Sequence, residues 1–273
     1  MKFLRRVVVG ILAVVVVVYA GALAYIYFMQ RNLEYDPSGK IFAISDTKLT
    51  GVEDVKIPTA EGASVTGWYH EPAPGKPVIL FYKGNAGSYT YEHPRFEQFV
   101  ADGYGFLSFD YRGFPTSPGA ISQGAILSDS LAAFDWLKAK GHHVVIWGRS
   151  LGSGPATYVA SLRDADALLL ETPFDSAIAV ATDRYWFLPV GLLMQDQYPV
   201  DQWIKDVKEP VFVAHGTADT TIALKHGQRV FDLAPNKYGI WIEPGGTHEN
   251  LWDRGLWAKA AVFFAAAEKQ AGQ

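Results

Sequence analysis

The stretch Val144-Val145-Ile146-Trp147-Gly148-Arg149-Ser150-Leu151-Gly152, followed by Pro155-Ala156-Thr157-Tyr158-Val159-Ala160, decides the reading of this chain. An apolar run, a five-residue G-x-S-x-G turn and a helical segment form a strand–turn–helix unit with a serine at its tip. A serine in so tight a turn adopts a strained backbone, so its neighbours must be glycine to avoid clashes. Its hydroxyl then stands clear of the sheet. The next N–H lies at a helix N-terminus, where it can stabilise an oxyanion. A surface Gly-Ser turn is the bland alternative, and the flanking strand and helix argue for the nucleophile elbow.

Outward from this unit the body alternates strands and helices. Strands are expected at 52–57, 65–70, 78–82, 106–109, 144–147, 167–170, 211–214 and 239–242, with helices near 94–101, 126–139, 155–162, 224–233 and 256–267. The four strands from 78 to 170 are short apolar runs, as expected for strands buried on both faces of a parallel sheet. The alternation predicts an α/β fold, a doubly wound sheet with its site at the carboxyl ends of the strands. Residues 172–206 are longer than one crossover helix requires. Eight of the ten side chains in 185–194 are aromatic or aliphatic, Trp186 and Leu192 among them. This insertion reads either as helices packed on the sheet edge or as a small cap lining an apolar acyl pocket or touching the bilayer.

Residues 7–30 carry no charge. As a helix they would cover about 36 Å, enough for a hydrocarbon layer of roughly 30 Å. Lys2, Arg5 and Arg6 precede this run, whereas Arg31 beyond it is diluted by Glu34 and Asp36. The positive-inside bias therefore puts the N-terminus in the cytoplasm and the body on the extracytoplasmic side. A cleaved signal peptide is the rival, but the apolar run is long for a signal core. The chain divides into a cytoplasmic 1–6, an anchor at 7–29, a juxtamembrane 30–49 and a body from 50 to 273. Three of the 24 basic residues precede the anchor, leaving 21 against 28 acidic ones. An acidic remainder without basic clusters argues against nucleic acid as a partner. With no cysteine, disulfides, thiolate metal sites and a cysteine nucleophile are excluded. His142-His143 would point to opposite faces of a strand and makes no metal site.

A serine hydroxyl needs a base, and the base needs an orienting carboxylate. Downstream of Ser150, Asp219 follows the strand Val211-Phe212-Val213-Ala214, and His248 lies on a glycine-rich loop after Ile240-Trp241-Ile242. Both loops open on the edge that carries Ser150. His215 reads as structural, and His226 falls inside a helix. Glu243 could replace Asp219, although it ends its strand and lies close to His248 in sequence. A second oxyanion donor is expected from Lys83-Gly84-Asn85-Ala86-Gly87, through the Asn85 N–H. As a phosphate cradle this loop has the wrong spacing.

Together, Gly84-Asn85-Ala86-Gly87, Asp110-Tyr111-Arg112-Gly113, Gly148-Arg149-Ser150-Leu151-Gly152, Glu171-Thr172-Pro173-Phe174, His215-Gly216-Thr217-Ala218-Asp219 and Gly246-Thr247-His248 resemble the α/β-hydrolase superfamily, in the branch of membrane-anchored serine hydrolases that includes depalmitoylating thioesterases. The resemblance implies an eight-stranded, mostly parallel sheet with a small cap. It also implies Ser150 as nucleophile, His248 as base, Asp219 as acid, and Asn85 and Leu151 as oxyanion donors. Lys83 departs from the usual histidine, and Pro115 from the usual glycine. The expected activity is hydrolysis of carboxylic esters or thioesters of a small or lipid-like acyl substrate, without metal or cofactor. Peptide hydrolysis and a silent, membrane-tethered binding scaffold are the alternatives.

Overall fold

The computed structural model describes residues 1–271. Eight strands, β1 Val52–Pro58, β2 Ser64–His70, β3 Val78–Tyr82, β4 Gly105–Phe109, β5 Val144–Arg149, β6 Ala167–Glu171, β7 Val211–Gly216 and β8 Lys237–Glu243, form one sheet in the order β1-β2-β4-β3-β5-β6-β7-β8. The pairs β1–β2 and β2–β4 are antiparallel and the rest are parallel. Every residue of β3, β4 and β6 is buried, because helices cover both faces of a parallel sheet. Alternation along a strand divides the core in two. Val78, Leu80 and Tyr82 face one layer, while Ile79 and Phe81 face the other.

The helices are α1 Lys2–Glu34, α2 His93–Ala101, α3 Gln123–Ala139, α4 Ser153–Leu162, α5 Ala177–Arg184, α6 Val190–Leu193, α7 Val200–Trp203, α8 Leu224–Leu233 and α9 Leu256–Ala271. Leu137 of α3, Val159 of α4 and Val230 of α8 pack in the first layer. Phe96 and Phe99 of α2 and Phe263 and Phe264 of α9 pack in the second. Between β6 and β7 the insertion holds three short helices, α5 to α7, termed the cap.

The α1 helix has 33 residues, none buried, and at the usual rise spans about 50 Å. It is long and apolar enough to cross a membrane and continues to Glu34, so the first residues of the juxtamembrane segment, 30–34, are helical. Its last turns dock on the cap. Arg31 Nε and Nη2 donate to the Asp196 carboxylate at 2.9 and 3.1 Å. Tyr35, just past the helix, meets Asp196 and the Tyr198 hydroxyl at 3.0 and 2.9 Å.

Candidate active site

Ser150 lies between β5 and α4 with φ +52°, in the left-handed region that non-glycine residues rarely enter. The flanking glycines answer to space. A methyl on Gly148 would come within 2.5 Å of the Gly152 carbonyl and of Ala156 Cβ, and one on Gly152 within 2.0 Å of the Tyr82 carbonyl. Larger residues would push the turn away from β3.

The loops after β7 and β8 converge on this serine. His248 Nε2 is 2.9 Å from Ser150 Oγ, and His248 Nδ1 is 2.8 Å from Asp219 Oδ2. A carboxylate only accepts, so Nδ1 carries the proton and Nε2 is left to accept from the serine hydroxyl. The other oxygen of Asp219 accepts the Thr221 and Ile222 amides, both at 2.9 Å. His215 Nε2 lies 3.3 Å from Asp219 Oδ2 while meeting the Ile222 carbonyl at 2.9 Å. Burial alone would raise the Asp219 pKa. The hydrogen bonds and charge around it prevail and hold it well below the usual carboxylate range. Glu243, the rival acid, pairs instead with Arg254 at 3.2 Å. His226 is engaged by Asp175 at 2.8 Å and Asp183 at 3.1 Å.

The loop after β3 closes the other side. A methyl on Gly84 would sit 3.7 Å from Ser150 Cβ, so this backbone passes directly beside Ser150. Asn85 and Leu151 border one cavity together. The Asn85 side chain ties its loop to the end of α1, donating to the Glu34 carbonyl at 2.6 Å and accepting the Asp36 amide at 3.3 Å. Lys83 is buried, and its Nζ donates to the Gly84 carbonyl at 3.1 Å and lies 3.8 Å from the centre of the Phe114 ring. Burial pushes this ammonium down to about 7, against the pull of Asp110, Glu92 and Asp36. The Gly84 carbonyl and the Asn85 N–H belong to one planar peptide, so holding the first fixes the direction of the second. In the sequence Lys83 registers only as a departure from the usual histidine. The turn containing Pro115 is pinned by Asp110, which accepts the Thr116 amide and hydroxyl at 3.1 and 3.0 Å.

The cavity beside Leu151 measures about 540 Å³, with Phe174, Val180, Tyr185, Met194 and Ile222 among its walls. Trp186 and Leu192, expected to line an acyl pocket, do not border it; they are 80% and 87% exposed. The reason is a tight reversal after α5, where the Leu188 amide returns to the Tyr185 carbonyl at 2.9 Å. It leaves Tyr185 and Met194 on the cavity and turns Trp186, Phe187 and Leu192 outward. Among the described residues no group of three histidine, aspartate or glutamate side chains is arranged to hold a metal ion.

A family sequence model described as the alpha/beta hydrolase fold matches residues 77–206. An uncharacterized protein of Mycobacterium tuberculosis is 30% identical over 246 residues, covering 88% of each chain. The lysophosphatidylserine lipase ABHD12 of Danio rerio is 32% identical over 190 residues, 61% of this chain and 50% of that one. Among solved structures, the Pyrococcus furiosus esterase Pf2001 superposes with a TM-score of 0.66 at 20% identity, covering 83% of this chain and 94% of the esterase; at that identity the likeness concerns the fold.

Proposed function

The chain belongs to the α/β-hydrolase superfamily, and from that premise we propose that it is a membrane-anchored serine hydrolase of lipid-like carboxylic esters or thioesters. The observation that carries the reading is the unbroken relay from Asp219 through His248 to Ser150 at 2.8 and 2.9 Å. Ser150 Oγ attacks the acyl carbonyl as His248 Nε2 takes its proton. The Asn85 and Leu151 amides receive the developing oxyanion, each such donor being worth about 2.7–4 kcal/mol. His248 then protonates the leaving group, and water enters by the same route in reverse to release the acid. Asp219 stays ionised and stabilises the imidazolium.

An acyl rather than peptidic substrate fits the walls Leu151, Phe174, Val180, Met194 and Ile222. Lipase activity in a relative agrees with this choice. Residues 7–29 of α1 serve as the anchor, with the basic N-terminus cytoplasmic and the body beyond the membrane. Ser150→Ala should abolish ester hydrolysis and labelling by a fluorophosphonate while leaving the circular dichroism and melting temperature near wild type. Substantial turnover by the alanine variant would assign the chemistry to another nucleophile, and an unlabelled wild type would favour a silent scaffold.

A further inference from the structure

A second cavity, about 280 Å³, lies between α1 and the cap. Its walls include Ile26 and Leu33 on α1 and Leu188, Val190 and Leu193 on the cap, and it shares Ala181, Tyr185, Met194 and Glu34 with the cavity beside Leu151. We propose that the two are one acyl channel, with α1 as a wall, through which the chain of an ester lipid enters from the leaflet around α1 without passing through water. The proposal rests on the serine hydrolase reading and adds where its substrate comes from.

Depth argues for this entrance. The Tyr19 hydroxyl donates to the Phe187 carbonyl at 3.2 Å. Tyr19 lies ten residues before Met29, about 15 Å down the helix at the usual rise, or about half of a 30 Å hydrocarbon layer. When residues 7–29 span a bilayer, the cap tip beside Tyr19 is within the hydrocarbon. The exposed side chains of Trp186, Phe187 and Leu192 then face lipid, which explains why so much apolar surface is left uncovered by protein.

Much of the backbone flanking the tip is already paired. Hydrocarbon offers no partners, so irregular chain survives there only when its polar groups are satisfied by protein. The amides of Tyr185, Leu188, Val190, Leu192 and Met194 all bond to carbonyls of the cap. From α1, Tyr19 covers the Phe187 carbonyl and Gln30 Nε2 covers that of Leu193 at 3.0 Å. The Gln195 amide donates back to Gln30 Oε1 at 2.7 Å. The Gln30 links and the Arg31–Asp196 pair fasten α1 to the cap on the water side of the gap, while Ile26 keeps the α1 wall apolar toward the bilayer.

The test uses the full chain in dioleoylphosphatidylcholine vesicles and a hexadecyl fluorophosphonate carrying a diazirine at the chain end. After reaction and irradiation, peptide mapping should find one attachment at Ser150 and the second within residues 26–33 or 188–193. An adduct at Ser150 with photocrosslinks only elsewhere overturns the channel and leaves the hydrolase reading intact. No adduct at Ser150 removes that reading, and the channel with it. In parallel, Leu33→Trp should lower kcat/KM for a palmitoyl ester relative to a butyryl ester by about tenfold, the worth of roughly two methylenes excluded from an apolar site. An unchanged ratio overturns the proposal. If this variant fails to fold, the wild-type crosslink decides alone.

Discussion

Asp219 divides its oxygens between two tasks, one facing the His248 ring and the other holding the turn that follows through the amides of Thr221 and Ile222. Asp219→Asn keeps an acceptor for the turn but loses the charge opposite the imidazolium, and kcat should fall on the order of 10⁴-fold; a near-normal rate, together with an inactive Glu243→Gln, would reassign the acid. Because the folded pKa is depressed, the carboxylate stabilises the fold above its unfolded value of about 3.9 and loses that contribution as pH falls through the folded value. The melting-temperature gap between wild type and Asp219→Asn should therefore be flat from pH 8 to 5 and narrow only below about pH 4. Lys83 has the opposite sign. Its folded pKa of about 7 lies below the unfolded value, so protonation of the unfolded chain weakens the fold as pH falls from about 10 to 7. Lys83→Met should raise the melting temperature most at or below pH 7. It should also lower kcat about tenfold, less than the 10²–10³ cost of deleting an oxyanion donor, because the Gly84 peptide loses its clamp. Unchanged turnover would make Lys83 merely a core residue.

Among elements, the elbow is held from behind by ions that local sequence does not announce. Glu171 ends β6 fully buried and accepts both Arg95 Nη atoms at 2.9 Å, as well as the Trp147 indole N–H at 3.1 Å. Arg149, the residue before Ser150, reaches Glu92 at 3.2 Å and also pairs with Glu249. The network joins α2, β5, β6 and the loop that carries His248. Glu171→Gln should cost about 1.5–3 kcal/mol, measured by urea unfolding, because buried Arg95 loses one charged partner and keeps Glu92 at 2.8 Å; a loss under about 0.5 kcal/mol would show that Glu92 alone suffices. The strands were legible because parallel strands buried on both faces are short apolar runs between turn signals, and β3 runs over residues 78–82 as expected. Element ends were less so. The α3 helix starts at Gln123, three residues early, because the Ser122 hydroxyl caps the Ala125 amide at 3.2 Å, a contact that apolar periodicity does not register.

For the whole molecule, the relation of α1 to the body governs both topology and access. Reporter fusions after Gln273 should be active only for a reporter that works outside the cytoplasm, and signal from a cytoplasm-only reporter would reverse the orientation. Because the chain has no cysteine, Leu192→Cys provides a unique site for a spin label. In vesicles that label should be relaxed more by oxygen, which partitions into hydrocarbon, than by a water-soluble nickel chelate. The reverse ranking would put the cap tip in water.

The sequence by itself determined the sheet and the glycine-flanked serine turn, because each depends on short-range spacing: glycines where backbones touch, apolar runs where both faces are covered. Tertiary structure decided the rest. It set Asp219 rather than Glu243 against His248, because partners 29 residues apart are chosen by where two loops converge. It turned Trp186 and Leu192 away from the cavity and brought α1 against the cap, through contacts as far as 168 residues apart. Hydrophobicity is a scalar. An apolar run reads the same whether it faces a pocket, a core or a bilayer, and only the folded chain gives it a direction.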